Sequence, residues 1–237
     1  MRKVWTIAWR EYRAYLASPI GYAIAFAFLL GVGILSLAVI LYTAQAALRI
    51  VFHNIAVVLL FVTPAITMRL FSEERRLRTI ELLMTNPVTD SQVVLGKYLG
   101  ALLFLFTLLI PTLVYYGFIE AYGSPDRGAT FVGYLGVFLV GAVFTSVGVM
   151  TSALTASQAA AALAAFFLLL ILWIISWLSG QTGGALSEFL SYISVYDHLD
   201  EFMRGVLDSR GLVYFLSLIF LALFATTRIV SATKWRV

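Results

Sequence analysis

The sequence predicts an all-α integral membrane protein. It reads as six transmembrane helices with an N-terminal interfacial amphipathic helix, a short charged cytoplasmic helix between helices 2 and 3, and short outer helices between helices 5 and 6. Three observations carry that prediction. The 237-residue chain is 62% hydrophobic and has a mean hydropathy of +0.96. Only 12% of its residues are charged, about half of what a soluble domain carries. Six runs reach the roughly 20 mostly apolar residues that a helix needs to cross the hydrocarbon core. They are 20–42, 51–71, 93–119, 130–153, 158–179 and 211–231, and their apolar centres hold no Asp, Glu, Lys or Arg.

Length and composition bound the rest. A chain of this size predicts one membrane domain, 1–237, with little soluble mass. Its expected parts are an interfacial helix (1–19), helices 1 and 2 (20–71), a charged cytoplasmic region (72–92), helices 3 to 5 (93–179), outer helices (180–210), and helix 6 with a cytoplasmic tail (211–237). The absence of cysteine excludes disulfides and thiolate metal sites. A net charge of +4 gives no support for nucleic-acid binding. The N-terminus lacks the short apolar core and small-residue cleavage site of a secretory signal. No internal repeat is visible, which argues against an inverted-repeat transporter.

Residues 1–17 predict a two-faced helix. At 100° per residue, Val4, Trp5, Ala8, Trp9, Tyr12, Tyr15 and Leu16 share one arc. Arg2, Lys3, Thr6, Arg10 and Arg13 share the opposite one, and Ile7 is the misfit. A basic face opposite an aromatic one suits a helix lying at the headgroups. Ser18-Pro19 then supplies an N-cap and a first-turn proline for the first span. Pro64 and Pro111 predict kinks in the second and third spans.

Orientation follows from the basic residues. With both termini inside, twelve of the sixteen Lys and Arg lie on the cytoplasmic side: residues 2, 3, 10, 13, 69, 75, 76, 78, 97, 228, 234 and 236. Only Arg49, Arg127, Arg204 and Arg210 remain outside. The expected location is the cytoplasmic membrane of a bacterium or archaeon, with both termini cytoplasmic. In the last outer segment, Leu186, Phe189, Leu190 and Ile193 have helical spacing, as do Leu199, Phe202, Met203, Val206 and Leu207. These predict two short amphipathic helices at the outer surface.

This orientation places an island of charge, Arg69 to Lys97, in the cytoplasm. It holds Arg69, Arg75, Arg76, Arg78 and Lys97 with Glu73, Glu74, Glu81 and Asp90. Ser72 before Glu73 and Glu74 predicts a helix start, and Ile80, Leu83 and Met84 give that helix a small apolar face. Asn86-Pro87 ends it. Thr89 with Gln92 then predicts a capping box, and Val88 with Val93 a hydrophobic staple, leading without a break into the third span. By these residues alone the segment reads equally as a solvated loop and as a helix that transmits force.

A resemblance bears on that choice. The motifs are Ser18-Pro19-Ile20-Gly21-Tyr22, TPAITMR at 63–69, TIELLMTNPV at 79–88, VLGKYLGALL at 94–103, PTLVYY at 111–116 and YDHLDEFMRGVLDSR at 196–210. Together they resemble ABC exporter permeases of the ABC-2 class, and within them the permeases associated with bacterial gliding motility. The resemblance covers nearly the whole chain. It implies that the segment matching 73–88 is a coupling helix that docks onto a separate ABC ATPase subunit. Glu73, Glu74, Arg75, Thr79, Glu81, Leu82, Leu83 and Pro87 would then form or support the docking surface. Many members carry Gly before the Thr where this chain has Arg78, so the coupling helix start can differ here. The resemblance further implies a second permease copy or a paralogous permease, with an auxiliary membrane subunit and membrane lipid as further partners. ATP and Mg would bind the ATPase, leaving this chain without a cofactor of its own.

Other readings are weaker. Leu178-Ser179-Gly180-Gln181 resembles an ATPase signature but lacks a glycine and falls on the outer side, and there is no phosphate-binding loop of the form GxxxxGK[ST]. The chain is therefore not expected to hydrolyse ATP. Asp197, His198, Asp200 and Glu201 could approach a metal, but one histidine among carboxylates at a helix start more often caps and solvates. His53 reads as an interface anchor, and Gly96 with Gly100 as a helix-packing GxxxG. An ion-coupled transporter or channel would call for intramembrane charges or a polar pore. A non-transporting anchor that only transmits force within an ABC-type complex stays open as an alternative.

Overall fold

The computed structural model describes residues 2–43, 48–77, 89–122, 126–181 and 183–233. These form helices α1 (Arg2–Leu16), α2 (Pro19–Thr43), α3 (Leu48–Thr67), α4 (Arg69–Arg76), α5 (Asp90–Leu109), α6 (Leu113–Tyr122), α7 (Arg127–Leu154), α8 (Gln158–Gln181), α9 (Ala185–Ile193), α10 (Val195–Met203) and α11 (Ser209–Thr233). A 3-10 turn, Ile110–Thr112, joins α5 to α6. No strand occurs among the described residues. Six helical stretches are long and apolar enough to cross a membrane: Pro19–Ala38, Leu48–Arg76, Asp90–Ala121, Arg127–Leu154, Gln158–Gln181 and Ser209–Ala232. They coincide with the six predicted runs, and the chain is an all-α multi-pass membrane protein.

The second, third and fourth spans make the inside of the bundle, while α2, α8 and α11 expose most of their apolar side chains. Phe26, Ile171 and Phe220 are examples of that outer layer. Lipid is as apolar as these side chains, so close packing rather than hydrophobic exclusion must hold the inner spans together. The central helix α7 is built for that. A Cβ at Gly136 would fall 2.5 Å from Phe202 Cβ on α10, and one at Gly141 would fall 2.9 Å from Leu105 on α5. Gly133 and Gly148 receive Phe52 and Thr67 of α3 just as closely.

Both prolines lie inside the expected spans. Pro111 sits in the 3-10 turn between α5 and α6, and Tyr134 is tied to that turn, its hydroxyl donating to Thr112 O at 2.9 Å. Pro64 lies inside α3, whose regular helix stops at Thr67. Ser18 caps α2 as predicted, accepting from Ile20 N at 3.3 Å through its hydroxyl.

Two expectations change. Ser72 does not start a helix. Met68, with φ −52° and ψ −33°, keeps helical backbone angles between α3 and α4, so Ser72 lies buried at the middle of α4. Its hydroxyl donates back to Met68 O instead of capping. The second change concerns α1, which meets three environments rather than two. Val4, Ile7, Ala8, Glu11 and Tyr15 turn to the bundle, whereas Trp5, Trp9 and Leu16 stay exposed beside them. Ile7, the misfit of the two-faced wheel, packs against Gly96 of α5.

The segment between the fifth and sixth spans forms the two predicted short helices, and they differ. In α9, Leu186, Phe189 and Tyr192 are exposed, as suits a helix at the membrane surface. In α10, Leu199, Phe202 and Met203 are buried under α7, so this helix belongs to the bundle. It ends at Gly205, whose φ of +81° lets Val206 N reach back to Glu201 O at 3.0 Å.

Candidate functional site

At one end of the bundle, α1, the α3–α4 continuation, the start of α5 and the end of α7 meet in a junction. It begins with a side chain inserted into a helix. Ser152, near the end of α7, accepts from Phe71 N at 3.0 Å and Ser72 N at 3.2 Å and donates to Met68 O at 3.0 Å. A hydroxyl wedged into the i→i−4 ladder marks a break in a helix, and here it lies one turn beyond Pro64. The polar groups freed by the break are thus satisfied by α7 rather than by water.

Beyond the break, α4 is gripped by one buried cation. Lys97 projects from α5 and its side chain is only 2% exposed. Its Nζ donates to Leu70 O at 2.6 Å and to Glu74 Oε1 at 2.7 Å. It also lies 3.5 Å from Glu11 Oε1 of α1 and 5.1 Å from the centre of the Phe71 ring. A lysine usually keeps its ammonium in water while burying its stem; this one buries both. The Glu11 carboxyl feels two opposed influences. Burial raises its pKa, but Lys97 and the adjoining Arg10 together outweigh burial and leave it below the ordinary carboxylate value.

Helix α1 is fixed to the same junction by its second half. The Tyr15 hydroxyl donates to Ile66 O at 2.7 Å, its ring stacks on Phe104 with centroids 4.8 Å apart, and the Arg69 guanidinium lies 4.5 Å from the ring centre. Tyr12 and Thr107 hydroxyls share a hydrogen bond of 3.0 Å. The GxxxG of α5 makes this closeness possible: Cβ atoms at Gly96 and Gly100 would fall 2.7 Å from Ile7 and 2.6 Å from Glu11. On the free side of α1, Trp5 and Trp9 stack at 6.4 Å, with Arg13 over Trp9 at 5.1 Å.

The entry to α5 has the expected cap. Thr89 is extended, with φ −82° and ψ 153°, and completes a capping box in which its N–H donates to Gln92 Oε1 at 3.3 Å. Asp90 of the first turn accepts from Ser231 Oγ at 2.9 Å, joining α5 to the end of the last span.

Of the residues singled out from sequence, Glu73 and Arg75 are half-buried on α4, and Glu74 turns inward to Lys97. Thr79, Glu81, Leu82, Leu83 and Pro87 lie outside the described residues, as do Arg78, the apolar face of Ile80, Leu83 and Met84, and Val88 of the staple. The structure adds Glu11, Ser152 and Tyr15 as members of the junction, and it turns Lys97, which the sequence shows only as the end of the charged island, into the centre of it; the signal was its place as a lone charge inside an apolar pattern, between Gly96 and Tyr98.

At the opposite end of the bundle, the acidic cluster around Asp197 and Asp200 is occupied with protein partners. Asp197 accepts from Ser176 Oγ at 2.5 Å, and Asp200 pairs with Arg49 and Arg204, each at 2.6 Å. His198 stacks on Tyr214 at 4.1 Å and places Nδ1 2.8 Å from Ser194 O. His53 sits among aromatic rings, 6.0 Å from Trp173 and 5.5 Å from Tyr196.

Residues 5–227 match the family described as ABC-2 family transporter protein. The match spans most of the 237 residues, so the chain belongs to that family. It is to the ABC-2 family as a whole and does not single out the gliding-motility branch. No curated protein matches the chain. Family membership makes the chain an ABC permease subunit and implies an ABC ATPase subunit as its partner.

Proposed function

We propose that this ABC-2 permease is the membrane half of an ATP-driven exporter, and that a separate ATPase docks on its cytoplasmic segment 73–88. In this reading both termini are cytoplasmic in the inner membrane, and two permeases, identical or paralogous, flank the transport path. ATP and Mg act in the ATPase. Its closure pushes the docked segment, and the push reaches the third span through the capped start of α5.

The supporting observation is the grip of Lys97 on α4. Segment 78–88 is attached to the bundle at both ends, through α4 on one side and Thr89 on the other. Lys97 ties those two ends together across α4 and α5. A load applied to the segment therefore has two entries into the membrane domain, joined by an ion pair.

Docking is tested by co-expressing the chain with its ATPase and measuring membrane level, co-purification and ATP-driven transport. Leu82→Asp with Leu83→Asp, or Glu81→Lys, should leave the permease in the membrane and remove the ATPase or its coupling. If assembly and coupling both persist in these variants, the docking assignment is wrong.

A further inference from the structure

Lys97 has the geometry of a part with a purpose beyond filling space. Removing two charges from water is expensive, and an apolar side chain of similar volume is often as stable in such a place. Filling space therefore does not require an ammonium here. What a charge adds is direction: the Lys97 Nζ holds a backbone carbonyl and a carboxylate of α4 at 2.6 and 2.7 Å. It holds a second carboxylate, on α1, more loosely at 3.5 Å. No other described lysine or arginine is so buried.

The neighbouring attachments of α4 are weaker in kind. Toward α3 its backbone ladder is interrupted at Met68 and completed by a neutral hydroxyl, Ser152. Charge-assisted hydrogen bonds are roughly twice as strong as neutral ones. With a break behind it, α4 packs mainly on α7, and the Lys97 ion pair is the tie that joins it to α5.

We propose that Lys97 is the positioning residue that makes α4, α5 and α1 move as one body, with the pivot at Met68. This rests on the coupling reading above: nucleotide-driven load on segment 78–88 would swing α4 about Met68 and carry α5 and the interfacial helix with it. Glu74 would be the tight contact of that latch and Glu11 the looser one. Lys97 itself need not touch the ATPase.

The test uses the absence of native cysteine, so that spin labels can be placed without background. Labels at Leu77→Cys and Leu95→Cys, both exposed positions flanking the latch, report the α4–α5 distance in the full chain in nanodiscs. The chain alone should give a narrow distance distribution, and Lys97→Met a broad one. If Lys97→Met stays as narrow, the latch is refuted, and no ATPase enters into that result. Where Lys97→Met does not assemble, Glu74→Gln carries the same measurement, with broadening expected and an unchanged distribution refuting. With the ATPase bound and trapped with ATP and vanadate, a second label pair, Leu95→Cys with Val213→Cys on α11, should shift in wild type. In Lys97→Met that shift should be lost while ATP hydrolysis persists; a merely structural lysine would lose hydrolysis and assembly together. Retention of the full shift in Lys97→Met overturns the proposal. A wild-type complex that shows no nucleotide shift, with the latch arm behaving as expected, instead faults the coupling reading.

Discussion

The packing of α1 on α5 yields a prediction whose size follows from the coordinates. In Gly100→Ala, the new methyl would lie 2.6 Å from Glu11 Cβ and 2.8 Å from Ala8 O. Carbon atoms in contact sit at about 3.5–4.0 Å, so α1 must retreat by roughly 0.9 Å (3.5 − 2.6) or more. Ala8 is fully buried and the clashing oxygen belongs to the backbone, so no rotamer change relieves the contact. Overpacking of this kind costs about 1–3 kcal/mol. Alanine returns about 0.8–1.0 kcal/mol of helix propensity, which blurs the result if one variant is measured alone. Gly117 of α6 removes that ambiguity, because a Cβ there meets nothing within 4 Å. Gly117→Ala takes the propensity gain without the clash. The difference between the two variants should therefore be the whole clash, about 1–3 kcal/mol in favour of Gly117→Ala. Reversible unfolding of the full chain in mixed micelles, followed by far-ultraviolet circular dichroism, measures it. A Gly100→Ala protein as stable as Gly117→Ala would show that α1 does not seat against α5 as described.

Two further outcomes follow from other contacts. Ser152→Ala removes the hydroxyl that serves Phe71 N, Ser72 N and Met68 O; it should lower stability by about 1–3 kcal/mol and speed hydrogen exchange at Phe71 and Ser72, and unchanged exchange there would refute the inserted-hydroxyl reading. Asp200→Ala breaks pairs with Arg49 and Arg204; Asp200 is only 15% exposed, but its partners are 51% and 61% exposed and free to turn to solvent once it is gone, so the loss should stay below about 1 kcal/mol in the same unfolding assay, and a loss of several kcal/mol would show that the cluster carries structural weight.

What the sequence revealed and what it hid divide along the range of the interactions involved. Spans are legible because apolar length is a property of a continuous segment, and the Thr89–Gln92 capping box because both partners lie within one turn. Ser72 misleads for the converse reason. Its neighbours in sequence spell a cap, but Ser152, eighty residues away, and the helical backbone of Met68 that joins α3 to α4 decide its environment. Ile7 misleads because a wheel divided into two faces has no place for a helix that touches protein, lipid and water in turn. Lys97 looks like any basic residue at a span end; only folding brings Glu11 from 86 positions before it and Glu74 from 23 before it to the same nitrogen (97 − 11 and 97 − 74).

The same division bears on how force could pass through the junction. A helix that ran unbroken from α3 through α4 would deliver any load on its tip to the second span first. The interruption at Met68 changes that order, since the bonds that replace the ladder come from a single hydroxyl on another helix. Such bonds can re-form at a slightly different angle, whereas a continuous i→i−4 ladder resists bending. Lys97 lies beyond that point, where it holds both the carbonyl of Leu70 and the side chain of Glu74. On the latch reading, then, the second span acts as the post and the third as the moving part. Weakening the post at Ser152 should ease the swing, while weakening the latch at Lys97 should abolish it. Opposite effects of Ser152→Ala and Lys97→Met on the nucleotide-driven shift of α5 would separate a pivot from a latch. Effects of the same sign would mean that the junction acts as one undivided block.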